Sequence, residues 1–205
     1  MHIAVENENI EIIKLLLSNS DININSTSVS NGKEDTALNI AIRKNNIEIV
    51  KLLLANLEID VYPQPKKGNK IENPLIIASR NKNYEIIELL LKYPKIDKNE
   101  DFAKENILIN AINDNDIDIV KLLLSDPNIN VNYKSVTENS KDSLLNIAIR
   151  KNNNEIIKLF MNHPKIEINS ISIISKKVET PLNIAIENKN NEIINLLISN
   201  QNYNI

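Results

Sequence analysis

Residues 36–54 read TALNIAIRKNNIEIVKLLL, and their pattern of apolar and polar residues indicates how the chain folds. Each half carries apolar residues at the three- and four-residue spacing of an amphipathic helix. Thr36 is a good N-cap for the first helix, because its hydroxyl can accept a hydrogen bond from an unpaired N–H of the first turn. Asn46 stands between the halves, and Asn suits both a helix cap and a tight interhelical turn. The stretch therefore predicts two short helices joined by a tight turn.

The same pattern recurs along the whole chain at a nearly fixed interval. An alanine in the first helix of each copy marks it, at Ala4, Ala41, Ala78, Ala111, Ala148 and Ala185, with spacings of 37, 37, 33, 37 and 37 residues. A fixed internal period of this size is typical of stacked supersecondary units, each too small to bury its apolar side alone. We therefore predict a single array over residues 1–205, with repeats at about 1–25, 36–61, 73–99, 106–132, 143–169 and 180–205.

Polar segments with β-prone residues join one unit to the next. Apolar and polar residues alternate in 129–132 and in 166–169, as they do in a half-exposed strand. We interpret the joining segments as hairpin fingers that project from the helices, at residues 22–35, 59–72, 129–142 and 166–179.

One copy of the repeat carries a recognisable signature. Residues 180–185 read TPLNIA and resemble the ankyrin signature Thr-Pro-Leu-His-x-Ala, and residues 48–54 resemble the second helix of that family. The resemblance extends over six repeats and nearly all of the chain. It implies an all-α solenoid of helix–turn–helix repeats with projecting hairpin fingers and a concave binding face. It also implies a non-catalytic scaffold or adaptor that binds a protein partner. The alternative is a regulatory segment that acts in cis within a larger multidomain enzyme or channel.

The interhelical glycine of the ankyrin pattern is absent. Its place is taken by Glu8, Asn45, Lys82, Asn115, Asn152 and Lys189. We expect a left-handed backbone at these positions, with strain where the residue is neither Gly nor Asn.

The motif histidine survives only as His2, and asparagine replaces it at Asn39, Asn146 and Asn183. These three asparagines follow a Thr or Ser cap by three residues. Our hypothesis is that each side chain reaches back to its cap, as Gln does in a capping box.

The composition offers few residues for catalysis or for metal binding. The chain has a net charge of −3, no cysteine, two histidines and two glycines. His2 fills a repeat position and His163 lies at the end of a second helix, so we expect no metal site. Gly32 and Gly68 form no phosphate-binding loop. We expect no catalysis, no cofactor, and no binding to nucleic acid or membrane. We also expect a cytoplasmic location, because no apolar run approaches the roughly 20 residues that span a bilayer.

The ends of the first helices are the first candidate binding residues. By analogy with the family they face the concavity, and they include Arg43, Lys44, Arg80, Asn113, Asp114, Arg150 and Lys151. Arginines there suit an acidic or C-terminal peptide. The alternative is a solvated helix end where cations oppose the negative end of the helix dipole.

A second row, of acidic residues, precedes the caps at Asp35, Glu72, Glu105, Asp142 and Glu179. It suits either a basic partner segment or simply the positive end of each helix dipole.

Aromatic side chains are scarce, and three of them fall on consecutive fingers, at Tyr62, Phe102 and Tyr133. They suit either anchors for a partner or packing between adjacent fingers.

The first repeat lacks a cap and an incoming finger, and its apolar residues match those of the internal repeats. We therefore expect either continuation in a longer chain or end-to-end self-association.

Overall fold

The computed structural model describes residues 1–30, 33–61, 71–93 and 103–200. The chain divides into two units, Met1–Ala103 and Lys104–Ile205. Each unit contains three helix pairs among these residues. The predicted helix–turn–helix repeat is thus observed in six copies, and the single array over residues 1–205 stays a prediction.

Where the structure describes it, the first unit combines six helices with one hairpin. Its helices are α1 His2–Glu6, α2 Ile10–Leu17, α3 Ala37–Arg43, α4 Ile47–Leu54, α5 Pro74–Arg80 and α6 Tyr84–Leu91. Its hairpin pairs β1 Thr27–Ser30 with β2 Lys33–Thr36. The helix α3 packs against both α1 and α5, so the first helices form one layer.

The second unit repeats this arrangement with a larger sheet. Its helices are α7 Ala103–Asn113, α8 Ile117–Leu124, α9 Leu144–Lys151, α10 Asn154–Met161, α11 Pro181–Glu187 and α12 Asn191–Ser199. Two hairpins, β3 Lys134–Thr137 with β4 Ser140–Ser143 and β5 Ser172–Ile174 with β6 Lys177–Glu179, join into one four-stranded antiparallel sheet.

The six marker alanines are all buried. Their small side chains allow the first helices of neighbouring repeats to approach closely, while the second helices bury larger groups such as Leu53, Leu90 and Phe160. The core of each unit therefore lies between repeats and not within one helix pair.

The description of the fold as all-α is too narrow, because three of the fingers form β-hairpins among the described residues. The strands themselves lie later in sequence than we expected. Residues 129–132 and 166–169 form turns and irregular backbone instead of strands. The reason is visible at Asn132, whose Nδ2 donates to Lys165 O (2.7 Å) and whose Oδ1 accepts from Glu167 N (2.9 Å). Side-chain hydrogen bonds replace a backbone ladder at this point.

The predicted caps at Thr36, Ser143 and Thr180 are confirmed, whereas Asn106, at the corresponding position of the fourth repeat, lies inside α7, which begins at Ala103. The hydroxyls of Thr36, Ser143 and Thr180 accept from the backbone N–H three residues later, at 3.0, 3.2 and 3.2 Å. The hypothesis of a reciprocal bond from the asparagine is wrong. Asn39 Nδ2 donates forward to Glu72 O (2.7 Å), and Asn146 Nδ2 donates to Ser172 Oγ (2.7 Å). The asparagine side chain therefore connects its repeat to the next finger.

The interhelical turns adopt the expected left-handed backbone. All six residues at the former glycine position have φ between 51° and 58°. Where this residue is Asn, its Oδ1 accepts from the capping Asn of the following repeat. Asn153 Nδ2 donates to Asn115 Oδ1 (3.3 Å) and Asn190 Nδ2 donates to Asn152 Oδ1 (2.7 Å). Asparagine at this position thus adopts the left-handed conformation and also accepts a hydrogen bond from the neighbouring repeat.

The forward bond of asparagine leads to a stability prediction. Asn146→Ala removes a buried amide that donates to Ser172 Oγ and Ser170 O, and should lower the free energy of unfolding by about 1–3 kcal/mol. Asn183→Ala leaves its backbone N–H on Thr180 and removes only an exposed side chain, so the change should stay within about 0.5 kcal/mol. Urea unfolding midpoints measure both. Equal losses in the two variants would contradict the forward bond.

The left-handed turns lead to a second stability prediction. Lys189→Gly removes a side chain that disfavours φ of 55°, and should raise the free energy of unfolding by about 0.5–1 kcal/mol after the entropy cost of glycine. Asn152→Gly has the same backbone geometry but loses the hydrogen bond from Asn190, so we expect no gain. Thermal or urea unfolding compares the two. A gain of similar size in both variants would show that the asparagine bond contributes nothing.

Candidate functional site

The arginines at the ends of the first helices of the first unit bind carboxylates of the same unit. Arg43 Nη2 donates to Glu72 Oε2 (3.0 Å), and Arg43 Nη1 donates to Asp35 Oδ2. Glu72 accepts in addition from Arg80 Nη1. The result is a continuous chain of alternating charges, Asp35–Arg43–Glu72–Arg80.

The second unit repeats this arrangement around Arg150. Its Nη2 donates to Glu179 Oε2 (3.0 Å) and its Nη1 to Asp142 Oδ2. Lys177 Nζ then lies 3.1 Å from Glu179 Oε1 and 2.9 Å from Glu187 Oε1. Arg43 and Arg150 each follow the acid of their own repeat by eight residues and precede the next acid by 29.

The arginine row and the acidic row therefore neutralise each other among the described residues. The sequence presents the two rows as separate candidate surfaces, but within each unit the geometry joins arginines and acids into an internal network. The side chains of Arg43 and Arg150 are only 35% and 29% exposed, whereas that of Arg80 is 67% exposed. Arg80 is thus the arginine of this row that is most accessible to a partner.

The same contacts lower the pKa of two of these carboxylates, Glu72 and Glu179. Burial alone would raise the pKa of Glu72, but the hydrogen bonds from Arg43 and Arg80 outweigh it and lower the pKa. Lys177 and then Arg150 lower the pKa of Glu179. Both carboxylates are therefore held in the charged form in the folded chain.

The remaining candidates have different surroundings. Lys44 Nζ lies 3.6 Å from Glu8 Oε1, in an ion pair with the preceding repeat. Asn113, Asp114 and Lys151 are exposed at the ends of α7 and α9. Tyr133 is half-buried. Tyr62 and Phe102 lie outside the described residues, so their role as anchors stays a prediction.

Ion pairs also connect the second helices of neighbouring repeats, and we did not predict these pairs from the sequence. Lys51 Nζ lies 2.6 Å from Glu85 Oε1, Lys121 Nζ lies 2.9 Å from Glu155 Oε1, and Lys158 pairs with Glu192. Each pair is separated by 34 residues. The constant offset could have predicted these pairs, because a lysine is followed 34 residues later by a glutamate in all three cases.

No group of three or more His, Asp or Glu side chains among the described residues is arranged to hold a metal ion. None of the helices that the structure describes is long and apolar enough to cross a membrane.

The lowered pKa of Glu179 predicts a pH dependence. A carboxylate whose pKa is lower in the folded than in the unfolded chain stabilises the fold above its unfolded pKa, and this contribution is lost as the pH falls through the folded pKa. Glu179→Gln should therefore lower the free energy of unfolding by about 1 kcal/mol at pH 7. The difference from the native chain should shrink as the pH falls below the unfolded pKa of a glutamate, about 4.3, and should vanish below the lowered folded pKa of Glu179.

Urea unfolding at pH 7 and pH 3.5 measures this difference. Glu167→Gln is the matched control, because Glu167 is an exposed glutamate of the same unit whose side chain forms no ion pair among the described residues. A difference for Glu179→Gln that is the same at both pH values would contradict the role of the ion pairs.

The comparisons with known proteins agree with this geometry. The family model described as ankyrin repeats (3 copies) matches residues 1–101, 62–135 and 108–205. Among solved structures, the chain is similar to EF0377, an ankyrin repeat protein, with 25% identity, a TM-score of 0.64, and coverage of 98% of this chain and 96% of that one. It also resembles an ankyrin repeat domain from Acinetobacter baumannii AYE (24% identity, TM-score 0.69, coverage 96% and 95%).

The ankyrin repeat domain of Bcl-3, a member of the IkappaB protein family, shares the fold at 19% identity, with a TM-score of 0.66 and coverage of 96% of this chain and 82% of that one. No curated protein matches the sequence. The family model spans the helix pairs, caps and fingers described above. The chain belongs to the ankyrin repeat family.

Proposed function

We propose that the chain is a non-catalytic scaffold or adaptor that binds a protein partner through the exposed ends of its first helices and its fingers. Ankyrin repeats generally mediate protein–protein interaction, and proteins of this family are generally non-catalytic. The finer statement, which surface binds, is our own inference from the side chains at these ends. A cytoplasmic location stays a prediction.

The observation that carries the proposal is a division of roles at the ends of the first helices. Arg150 donates to two carboxylates and is mostly covered, while Lys151 beside it is exposed and forms no ion pair among the described residues. Lys151 is therefore available to a partner at no cost to the stack. Arg80, with one carboxylate partner and high exposure, combines both roles.

In the second unit the exposed set is mixed in charge. Asn113 and Asp114 at the end of α7 add an amide and a carboxylate to the cation of Lys151 at the end of α9. A set of this kind suits a partner with its own mixture of charged and polar groups, and not a uniformly acidic peptide. The arginine row by itself no longer supports an acidic peptide, because its charges are already paired.

A capture experiment tests the proposal. The whole chain is immobilised and exposed to a lysate of its source organism, beside a variant with Arg80→Gln and Lys151→Gln. A double variant with Lys14→Gln and Lys92→Gln is the control, because Lys14 lies on α2 and Lys92 directly follows α6, away from the first helices, and both changes remove only charge. We expect proteins that the native chain and the control retain, and that the first-helix variant loses by at least about ten-fold.

Two results would overturn the proposal at different levels. Retention of the same proteins by all three baits would exclude the ends of the first helices as the surface. Absence of any specifically retained protein on the native chain would exclude a partner in that lysate and favour action in cis.

A further inference from the structure

The four-stranded sheet of the second unit has two chemically different faces. Side chains alternate between faces along a strand, so Asp142 and Glu179 lie on one side and their neighbours Lys141 and Val178 on the other. Arg150 binds both carboxylates, so the first face turns towards the ends of the first helices. The second face points away from them.

This second face carries a row of side chains in strict register. Val136 lies opposite Lys141, Lys141 opposite Ile173, and Ile173 opposite Val178. We call these four residues the back row. With strands about 4.8 Å apart, the row spans roughly 14 Å across the sheet.

The apolar members of the back row are open to solvent. Val136 is 68% exposed, Val178 57% and Ile173 41%. Ile171, two residues before Ile173 and on the same face, is also exposed. Single exposed apolar residues are ordinary, but a contiguous group on one face marks an interaction surface.

A cavity of about 430 Å³ adjoins the back row. It is lined by Lys134 and by residues 166–171 of the loop after α10. Lys134 and Ile171 each lie two residues from a member of the row, so the cavity continues the same surface. Its size lies within the range of small binding pockets.

The cations around the back row are unpaired. Lys141 stands within the row, Lys134 lines the cavity and Lys176 follows β5 in the turn. None of them forms an ion pair among the described residues, in contrast to Lys121, Lys158 and Lys177. Two carboxylates lie at the margins, Glu138 in the hairpin turn and Glu167 on the cavity wall. The centre of the surface is therefore apolar and basic.

The hairpin of the first unit provides an internal comparison. Val29 occupies the position of Val136 and is 65% exposed. The lysine positions differ, because Thr27 and Glu34 replace Lys134 and Lys141, and Glu34 is buried and accepts a hydrogen bond from Thr27 Oγ1. An exposed valine is thus common to both hairpins, and its combination with free lysines belongs to the second.

We propose that the back row and its cavity bind a short segment of a partner protein that is both acidic and apolar. Apolar side chains of the segment cover Val136, Ile173 and Val178 and enter the cavity, and a carboxylate pairs with Lys141. This inference rests on the proposed function, that the chain binds protein, and places a second surface on the opposite side of the fingers. A protein segment fits better than an anionic bilayer, because Glu138 and Glu167 at the margins would repel the bilayer.

The test begins with a phage-displayed library of random short peptides selected on the whole chain, with counter-selection on Lys134→Glu with Lys141→Glu. We expect enriched peptides to combine Asp or Glu with large apolar residues. One synthetic peptide of the enriched type, labelled with fluorescein, then serves as the probe in anisotropy titrations. The lysine variant, and a second variant with Val136→Ser and Val178→Ser, should each bind it at least about ten-fold more weakly.

Val29→Ser is the matched control, since it removes an equally exposed valine from the equivalent place in the other hairpin, and it should leave the affinity unchanged. Enrichment of basic peptides, binding that survives in the lysine variant, or an equal loss in Val29→Ser would each overturn the inference. So would binding of phosphatidylserine–phosphatidylcholine vesicles that depends on Lys134 and Lys141 with no peptide enriched.

The two proposals can fail separately. Lysate proteins that the Arg80 and Lys151 variant loses, and that the back-row variants retain, would support the proposed function and exclude the back row. Peptides that need the back row, with no lysate protein lost from the first-helix variant, would do the reverse.

Discussion

The repeats of each unit depend on their neighbours, because a pair of short helices, such as the seven- and eight-residue α3 and α4, cannot bury its own apolar side. The buried alanines and the leucines of the second helices supply the apolar part of each junction. The polar part is supplied by contacts at constant sequence offsets. Asparagine caps bond the left-handed turn of the previous repeat 38 residues earlier, and lysines of the second helices pair with glutamates 34 residues later.

These contacts change the meaning of the surface charges. Charged residues at the ends of first helices invite an interpretation as a binding surface, yet Arg43 and Arg150 mainly hold successive repeats together. Partly covered ion pairs of this kind fix register at modest energetic gain. The two surfaces that we propose for a partner consist of residues that form no ion pair among the described residues, such as Lys151 on one side of the fingers and Lys141 on the other.

The sequence predicts the fold well because its signals are local and repeated. The caps Thr36, Ser143 and Thr180, the left-handed turns and the helix pairs all follow from residue types within one repeat. Contacts between repeats were less predictable. Asn39 has the right spacing for a capping box, but its shorter side chain points to the next finger instead. The strands were misplaced because Asn132 uses its amide to bond the next loop, which hydropathy alternation does not report. The back row depends on the register of four strands, and no local pattern encodes that register.

The constant offset of the arginine contacts has a consequence for how such a chain changes its length. Arg43 and Arg80 both contact Glu72, and each occupies the same place in its repeat, 37 residues apart. Loss of one whole period between them would bring Asp35 next to an identical arginine and leave the charge alternation intact. Loss or gain of part of a period between them would move an arginine out of reach of the acid that it now contacts. Recombination between these repeats therefore keeps the ion pairs when whole repeats are exchanged, so the pairs favour changes in repeat number over changes in repeat length.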